Sequence, residues 1–423
     1  VERGIIMFLF KLAFKNIFRH KLRTIISIIV IAFAVMIVIF SRGFINGMIH
    51  SLYSDSIQYN SGHVHIMRDE YFKKKRLMPL DFPINGFENN NLDEMIRSIE
   101  NIKDVKGVIE RLKFGSMIST GQDLITLQGW GINPKKEFKL TDIQERIVEG
   151  RMVEAGKLEV AMGTDLLNKI DSEVGDKVTI LFNTSYSSLN GVTFNIVGRI
   201  ESGLKLLDEN AFFLPLGEAQ RLLYMEDQVT EILVLANKRN QASEIQKRIK
   251  NLMEKNKALD KYVVMHYEES NVLLSYLNIA QLVYNQIYFL FVILASAVLV
   301  STMIMIVKER TKEIGMMLAL GLEEKGILKL FIIEGSIIGL IGSFFGAIVG
   351  HYLSSILSEI GINVGSAVNS VSSDIMFNKM IYPTSSIGNS LFAFLAGVII
   401  VILVSIIPAR RAAKLEPTEA MKE

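Results

Sequence analysis

Few side chains in this sequence stand where they could do chemistry. His63 and His65 alternate along a run that reads as a strand and so share a face, as two metal ligands would. No third ligand stands nearby, and the pair predicts no metal centre. Glu268 and Glu269 are adjacent and diverge, which suits solvated charges. Cysteine is absent, which excludes a thiolate metal site, a Cys nucleophile and a disulfide framework. No Ser/His/Asp order stands out, and there is no G-x-x-x-x-G-K-[ST] loop to cradle nucleotide phosphates. The chain is therefore expected to have no catalytic residue and to bind no metal or cofactor of its own. What remains is Glu334, a carboxylate inside an apolar run, and the charged stretch Lys308 to Gly321 that follows another such run. An intramembrane carboxylate is a functional candidate by default, with a structural hydrogen bond near the interface as the alternative.

The elements that must position these groups are mostly membrane helices. Half of the 423 residues are hydrophobic, and the formal net charge of +2 is too balanced for a nucleic-acid binder. A hydrocarbon core roughly 30 Å thick needs about 20 apolar residues at about 1.5 Å each. Four segments qualify: 24–45, 284–307, 327–357 and 387–407. Lys11, Lys15, Arg19, Lys21 and Arg23 precede the first, Lys308, Arg310 and Lys312 follow the second, and Arg410, Arg411 and Lys414 follow the fourth. The excess of basic residues at these ends predicts that both termini are cytoplasmic. Residues 46–280 and the short loop 359–386 then lie outside, while 308–326 and the tail 408–423 lie in the cytoplasm. The first apolar run is too long for a signal peptide, and no small-residue cleavage site follows it. Arg42, near its end, can extend toward the headgroups. Residues 1–23 read as an amphipathic helix in the cytoplasmic interface, with a plain continuation of the first span as the alternative.

The segment 46–280 has the pattern of a mixed soluble fold. Gly62–Met67 and Asp123–Ile132 alternate as strands, and Lys177–Phe182 and Val192–Ile200 bracket a long polar turn, Asn183–Gly191. Glu231–Ala236, Ala242–Lys257 and Tyr262–Met265 read as strand, helix, strand, and Leu92–Ile102 and Gly217–Met225 as further helices. The domain is thus α+β, in two subdomains, one central and one assembled from both ends.

Between the second and third spans, a helix from Lys308 would place Ile314, Met317, Leu318 and Leu320 on one side and Arg310, Lys312 and Glu313 elsewhere, with Gly321 ending it in a left-handed turn. So short a helix cannot bury its own apolar stripe and calls for a protein cleft; a connector on the membrane surface is the alternative. In the third span Gly335, Gly339, Gly342, Gly346 and Gly350 recur on one face, where close helix packing, static or sliding, is expected.

The run Glu309–Gly321 with Phe331 and Glu334, the closing stretch Pro408–Met421 and the opening stretch Ala13–Arg23 together resemble the FtsX, MacB and LolC/LolE superfamily of ABC permeases. The resemblance implies a membrane α-helical fold with four transmembrane helices and a large α+β extracytoplasmic domain of MacB-like periplasmic type. It implies that Glu309, Arg310, Thr311, Lys312, Glu313, Ile314, Gly315, Leu318, Leu320 and Gly321 couple to a separate ABC ATPase homodimer that uses ATP and Mg. A second permease copy or paralogue would complete the membrane part, in a bacterial inner membrane. The central stretch with Gly150, Arg151, Gly163, Gly175, Asp208 and Leu214–Gln220 is similar to lipoprotein-releasing LolC/LolE permeases. An acylated lipoprotein substrate and a periplasmic carrier are implied, with the carrier contact weakened because the Asn183–Gly191 loop is short. Phe40, Phe44 and Met48 facing Leu282, Ile287 and Tyr288 is the expected lipid path. The alternatives are an FtsX-like scaffold that activates a cell-wall hydrolase and a MacB-type peptide or drug exporter with a periplasmic adaptor.

Overall fold

A computed structural model describes residues 2–19, 21–87, 91–119, 123–270, 272–365 and 378–414. Residues 366–377 of the expected loop 359–386 and the last part of the closing stretch, from Leu415 on, lie outside the described residues. The chain divides into two compact units: a helical one (Val1–Ile49, Ile279–Ile362 and Ile381–Glu423) and a sheet-based one (His50–Asn278 with Asn363–Met380).

The chain begins with α1 (Glu2–Arg19) and α2 (Lys21–Asp55), two separate helices. Leu9 and Ala13 of α1 are buried against Leu330, while Phe8, Phe14 and Phe18 on its other face are exposed. α1 is therefore anchored along one stripe and keeps an apolar outer stripe of aromatic rings, the composition that suits a lipid interface.

A π-helical turn, Ser56–Ser61, leads into β1 (Val64–Arg68), α3 (Asp69–Lys73), α4 (Leu92–Glu100), β2 (Val105–Ser119) and β3 (Leu124–Ile132). α5 (Pro134–Leu140), β4 (Ile147–Gly150), β5 (Glu159–Gly163), α6 (Thr164–Lys169), β6 (Lys177–Asn183) and β7 (Leu189–Ile200) follow. The unit continues with α7 (Lys205–Asn210), β8 (Ala211–Pro215), α8 (Leu216–Leu223), β9 (Glu231–Ala236), α9 (Ala242–Lys255), β10 (Tyr262–His266) and α10 (Tyr267–Ser270). Among the described residues the strands run β10-β1-β9-β2-β3-β8-β5-β7-β4, and β6 pairs with both β7 and β2. The ring β2-β3-β8-β5-β7-β6 therefore closes on itself as a small barrel. Its interior holds Phe114, Leu127, Ile180, Phe182, Phe194 and Phe212. The other branch, β10-β1-β9-β2, carries α4 and α9 on one face, where Met95, Ile99, Ile245 and Ile249 pack on Val64, Ile66 and Val234. The long strand β2 belongs to both cores, pairing first with β9 and then with β6.

The β6–β7 hairpin differs from the expected long turn. Pairing continues out to Asn183 and Leu189, and Thr184 to Ser188 form a compact loop closed by the Thr184 amide on the Ser188 carbonyl at 2.9 Å. The polar residues Asn190 and Gly191 belong to the strand because this edge of the hairpin faces water, where alternation carries no apolar signal.

The polypeptide then forms α11 (Val272–Glu309), α12 (Thr311–Ala319), α13 (Glu324–Ile360) and α14 (Ile387–Ala413). Among the described residues three helical stretches are long and apolar enough to cross a membrane: Thr24–Ser61, Glu324–Ile360 and Ile387–Ala413. The expected span 284–307 lies in α11, where the apolar stretch that stands out is Leu282–Phe291. Among the described residues, therefore, three spans rather than four meet the length criterion, while α11 itself is continuous from Val272 to Glu309.

Candidate functional site

Arg310 occupies the bend between α11 and α12. Its side chain is 5 % exposed and contacts two helices. Nε donates to Glu313 Oε2 on α12 at 3.0 Å, Nη1 donates to Glu334 Oε1 on α13 at 3.1 Å, and the group lies 5.7 Å from the Phe331 ring centroid. Asn16 of α1 donates from Nδ2 to the same Glu334 oxygen at 2.7 Å. Arg19 closes the circuit on Glu313 at 2.5 Å. A buried Arg–Glu pair is costly to desolvate, and its geometry here satisfies both partners from separate helices, so it fixes register between them. Burial pushes the Glu313 carboxyl up, but Arg310 and Arg19 more than offset it and hold it below the usual carboxylate range. A carboxylate depressed in the folded state stabilises at every pH above its unfolded value and loses that contribution only as pH falls through the lowered one. Thermal unfolding of the wild type and of Glu313→Gln is therefore expected to differ by a constant amount from pH 8 down to pH 6, and to converge only in more acidic buffer.

The helix that this hub holds has two distinct sides. Ile314 and Gly315 are buried, with Ile314 packed among Ile327, Phe331, Ala409 and Ala412. Met317 and Leu318 are half-buried, Lys312 is exposed, and Met316 and Leu320 are 54 % and 84 % exposed. Thr311, the first residue of α12, donates its hydroxyl across the bend to the Lys308 carbonyl at 2.7 Å, and Glu309 is the last residue of α11. The C-terminus is a Schellman turn: the Gly321 amide bonds the Leu318 carbonyl and the Leu322 amide the Met317 carbonyl, both at 3.0 Å. Gly321 has φ +93°, which a residue with a Cβ adopts only under strain.

Two sequence expectations are corrected here. Arg310 and Glu313 do not project away from the packed side, since they anchor it. Leu320 does not share a side with Ile314, because the helix restarts at Thr311 after the bend and Leu320 is already its cap. The apolar stripe facing the chain's own core is thus centred on Ile314, and the unpartnered apolar surface is Met316 and Leu320.

Gly335, Gly339, Gly342, Gly346 and Gly350 of α13 are all buried and serve two neighbours in turn. A Cβ on Gly335 would meet Ser405 of α14, and one on Gly339 would lie 2.6 Å from Val401 of the same helix. Gly342, Gly346 and Gly350 face α2, at Ile31, the Ala32 carbonyl and Ile39 respectively. Gly346→Leu is expected to force α2 off α13 and to lower stability by more than the 1–3 kcal/mol usual for overpacking, about 3 kcal/mol or above. Gly388→Ala, whose Cβ would have only Ser386 Oγ at 3.5 Å, serves as the tolerated control in the same thermal-unfolding measurement.

Residues 24–252, more than half of the chain, match the family of the MacB-like periplasmic core domain. The chain belongs to this permease family. Residues 285–417, which contain the Arg310 hub and the glycine face, match the FtsX-like permease C-terminal family. The chain is therefore an ABC-transporter permease of the FtsX, MacB and LolC/LolE superfamily, and a membrane protein. It is 23 % identical to the lipoprotein-releasing system transmembrane protein LolC of Neisseria meningitidis, over 80 % of this chain and 84 % of that one. An ABC transporter permease of Methanocaldococcus jannaschii is 24 % identical over 97 % and 96 % of the two chains. The macrolide export ATP-binding/permease protein MacB of Psychrobacter arcticus is 22 % identical over 97 % of this chain and 59 % of its own. Among solved structures, the periplasmic region of MacB from Actinobacillus actinomycetemcomitans covers 52 % of this chain and 92 % of its own at 12 % identity and a TM-score of 0.35.

Within the helical unit of the permease, α2, α11 and α14 enclose a cavity of 420 Å³. Of the expected lipid-path residues, Tyr288 lines it. Phe40 and Phe44 instead stack on each other at 6.2 Å, Met48 is half-buried, and Leu282 and Ile287 are exposed. The wall that sequence reading missed is α14, which contributes Phe392, Ala396 and Ile400. Arg42, expected to extend toward headgroups, lines this cavity with its guanidinium 4.5 Å from the Phe392 ring centroid. In the sheet unit the two histidines do not converge on a metal: His65 is fully buried with Nδ1 at 2.7 Å from Ser270 Oγ, and His63 accepts from the Ala236 amide at 3.2 Å. Glu269 accepts from the His266 amide at 2.9 Å, and Glu268 lies 3.8 Å from the His266 ring.

Proposed function

We propose that this permease couples a separate ATPase homodimer to the extraction of acylated lipoproteins from a bacterial inner membrane, working as a pair of permease chains and delivering to a periplasmic carrier. The observation that carries the coupling half is α12: an exposed Met316–Leu320 surface on a short helix whose opposite side is tied through Arg310 to Glu334 and Asn16. A push on the exposed surface would reach α1 and α13 through charge-assisted bonds that have no slack. In this reading α11 supplies the fourth span, both termini face the cytoplasm, α12 lies on that side, and the sheet unit lies outside. Support for the substrate comes from the similarity to LolC over most of both chains. It also comes from energetics. Each buried methylene holds a lipid anchor by about 0.8 kcal/mol, so two or three acyl chains need a motor to leave the bilayer.

Proteoliposomes carrying the permease, its ATPase and an acylated lipoprotein should release the lipoprotein to a soluble carrier only with ATP and Mg. Retention of the lipoprotein with ATP present would contradict the substrate assignment. A second reading, export of the MacB kind, is favoured by the similarity to MacB across 97 % of this chain. It would be selected if ATP-driven movement in the same vesicles required a periplasmic adaptor and no acyl chain.

A further inference from the structure

The sheet unit contains a cavity of 630 Å³ lined by Lys75, Arg76 and Lys113, one carboxylate, Glu231, and the apolar groups Met78, Leu206 and Trp130. Nothing in the coupling mechanism uses it. Glu231 and Lys113 have side chains 0 % and 6 % exposed, on the central strands β9 and β2, 2.9 Å apart. The Glu231 carboxylate is also approached by Lys75 Nζ at 3.8 Å, His65 Nε2 at 3.4 Å and the Tyr71 hydroxyl at 3.4 Å. The carboxylate therefore pairs with Lys113, accepts from Tyr71 and lies near Lys75 and His65, and the charged side chains that line the cavity are three cations and one anion. Lys113 Nζ lies 4.3 Å from the centroid of the Trp130 ring, and the indole N–H of Trp130, a residue 1 % exposed, has no partner among the described residues.

A buried Lys–Glu pair adds little to stability over apolar residues of the same volume, so its presence beside an open cavity points to binding. Burial pulls the Lys113 ammonium down to about 8 against the pull of Glu231, the mark of a cation short of negative partners. A ligand that supplies several acceptor oxygens and a negative charge would relieve both deficits, and the size falls in the range of small-molecule sites.

We propose that this cavity binds a small anionic amphiphile, a phosphate or carboxylate head held by Lys113, Lys75 and Arg76 with a short apolar body against Met78, Leu206 and Trp130. The site is independent of the substrate reading above. Trp130 is the only tryptophan in the sequence, so intrinsic emission reports on the cavity directly. The full chain in phosphatidylcholine nanodiscs is titrated with hexyl phosphate, inorganic phosphate and hexanol. The expected result is a saturable emission change with hexyl phosphate, a weaker one with inorganic phosphate and none with hexanol at equal concentration. Lys75→Met, at a half-buried position that leaves the Lys113–Glu231 pair intact, should weaken hexyl phosphate about tenfold, the loss expected for one charge-assisted bond. The paired change Lys113→Met with Glu231→Gln, which leaves no orphaned charge, should abolish saturation. An equal response to hexanol, an unchanged affinity in both variants, or no saturable response in the wild type would overturn the assignment. Inorganic phosphate matching hexyl phosphate would remove the apolar body from it.

Discussion

Replacing Leu320 by aspartate is expected to abolish association with the ATPase while leaving the permease folded. The side chain is 84 % exposed, so the substitution disturbs no packing within the chain. In a protein cleft a leucine contributes about 1.5–3 kcal/mol, and a carboxylate forced into the same cleft adds an unpaired-charge penalty of similar size or greater. Together they predict a loss of affinity of about two to four orders of magnitude, at about 1.4 kcal/mol per factor of ten. Co-purification and ATPase stimulation should both disappear, and the thermal unfolding of the isolated permease should not move. Met316→Asp, at 54 % exposure on the same surface, should act in the same direction. Ile314→Asp is different: Ile314 is fully buried, so that change is expected to unfold the α12 region and would not report on docking.

The second large effect concerns the pair beneath that surface. Arg310→Ala strands Glu334, which is 5 % exposed, and Glu334→Ala strands Arg310 likewise. Either single change is expected to cost about 3–5 kcal/mol, the range for breaking a buried ion pair from one side. The double replacement Arg310→Met with Glu334→Leu removes both charges at similar volume and should recover most of that stability. Recovery of function should not follow. Without the guanidinium Glu313 loses its bond to Arg310, and without the carboxylate Asn16 loses its acceptor on α13, so the directional bonds that join the bend to α13 and α13 to α1 are gone and only Arg19 still holds α12 to α1. Vesicles with the double variant should therefore show ATP hydrolysis uncoupled from transport. Full transport by the double variant would mean that the pair serves stability alone.

Where the sequence was legible, local pattern and burial agreed. The expected strand Glu231–Ala236 matches β9 residue for residue, and the expected bounds of α9 and β10 differ from the observed ones by a residue or two, because each is bounded by turn residues and buries an apolar face. β2 was not read as a strand at all. Glu110, Arg111 and Lys113 interrupt its apolar alternation, yet all three are buried on partners distant in sequence. Arg111 makes a two-bond pair with Glu137, at 2.7 and 2.9 Å, and donates to the carbonyls of Gln58 and Tyr59 at the end of the π-helical turn. Lys113 reaches Glu231 across the sheet. No window of ten residues contains those partners, so local pattern assigns no element to the strand that both cores share, and the barrel closure that depends on it is not legible in the sequence.

The coupling stretch shows the same limit on a smaller scale. A single helical register carried from Lys308 to Gly321 puts Leu320 on the side of Ile314 and Arg310 and Glu313 elsewhere. The bend at Arg310 resets that register, and the signal for it, the reach of Arg310 to Glu334 on another helix, is long-range. The spacing of the α13 glycines puts Gly335, Gly339, Gly342, Gly346 and Gly350 on one face, whereas their division between α14 and α2 follows from how three helices pack, which a helical wheel does not contain.

The central claim is that mechanical force enters through α12. Because the sequence has no cysteine, Leu320→Cys creates a unique attachment point. The direct measurement is thiol cross-linking of this variant to the ATPase in reconstituted membranes, with and without ATP, alongside Leu124→Cys at an exposed position of the sheet unit. The prediction is a cross-link at position 320 whose yield changes with nucleotide, and none at position 124. A cross-link at 124 with none at 320 would place the motor on the other side of the membrane and contradict the account.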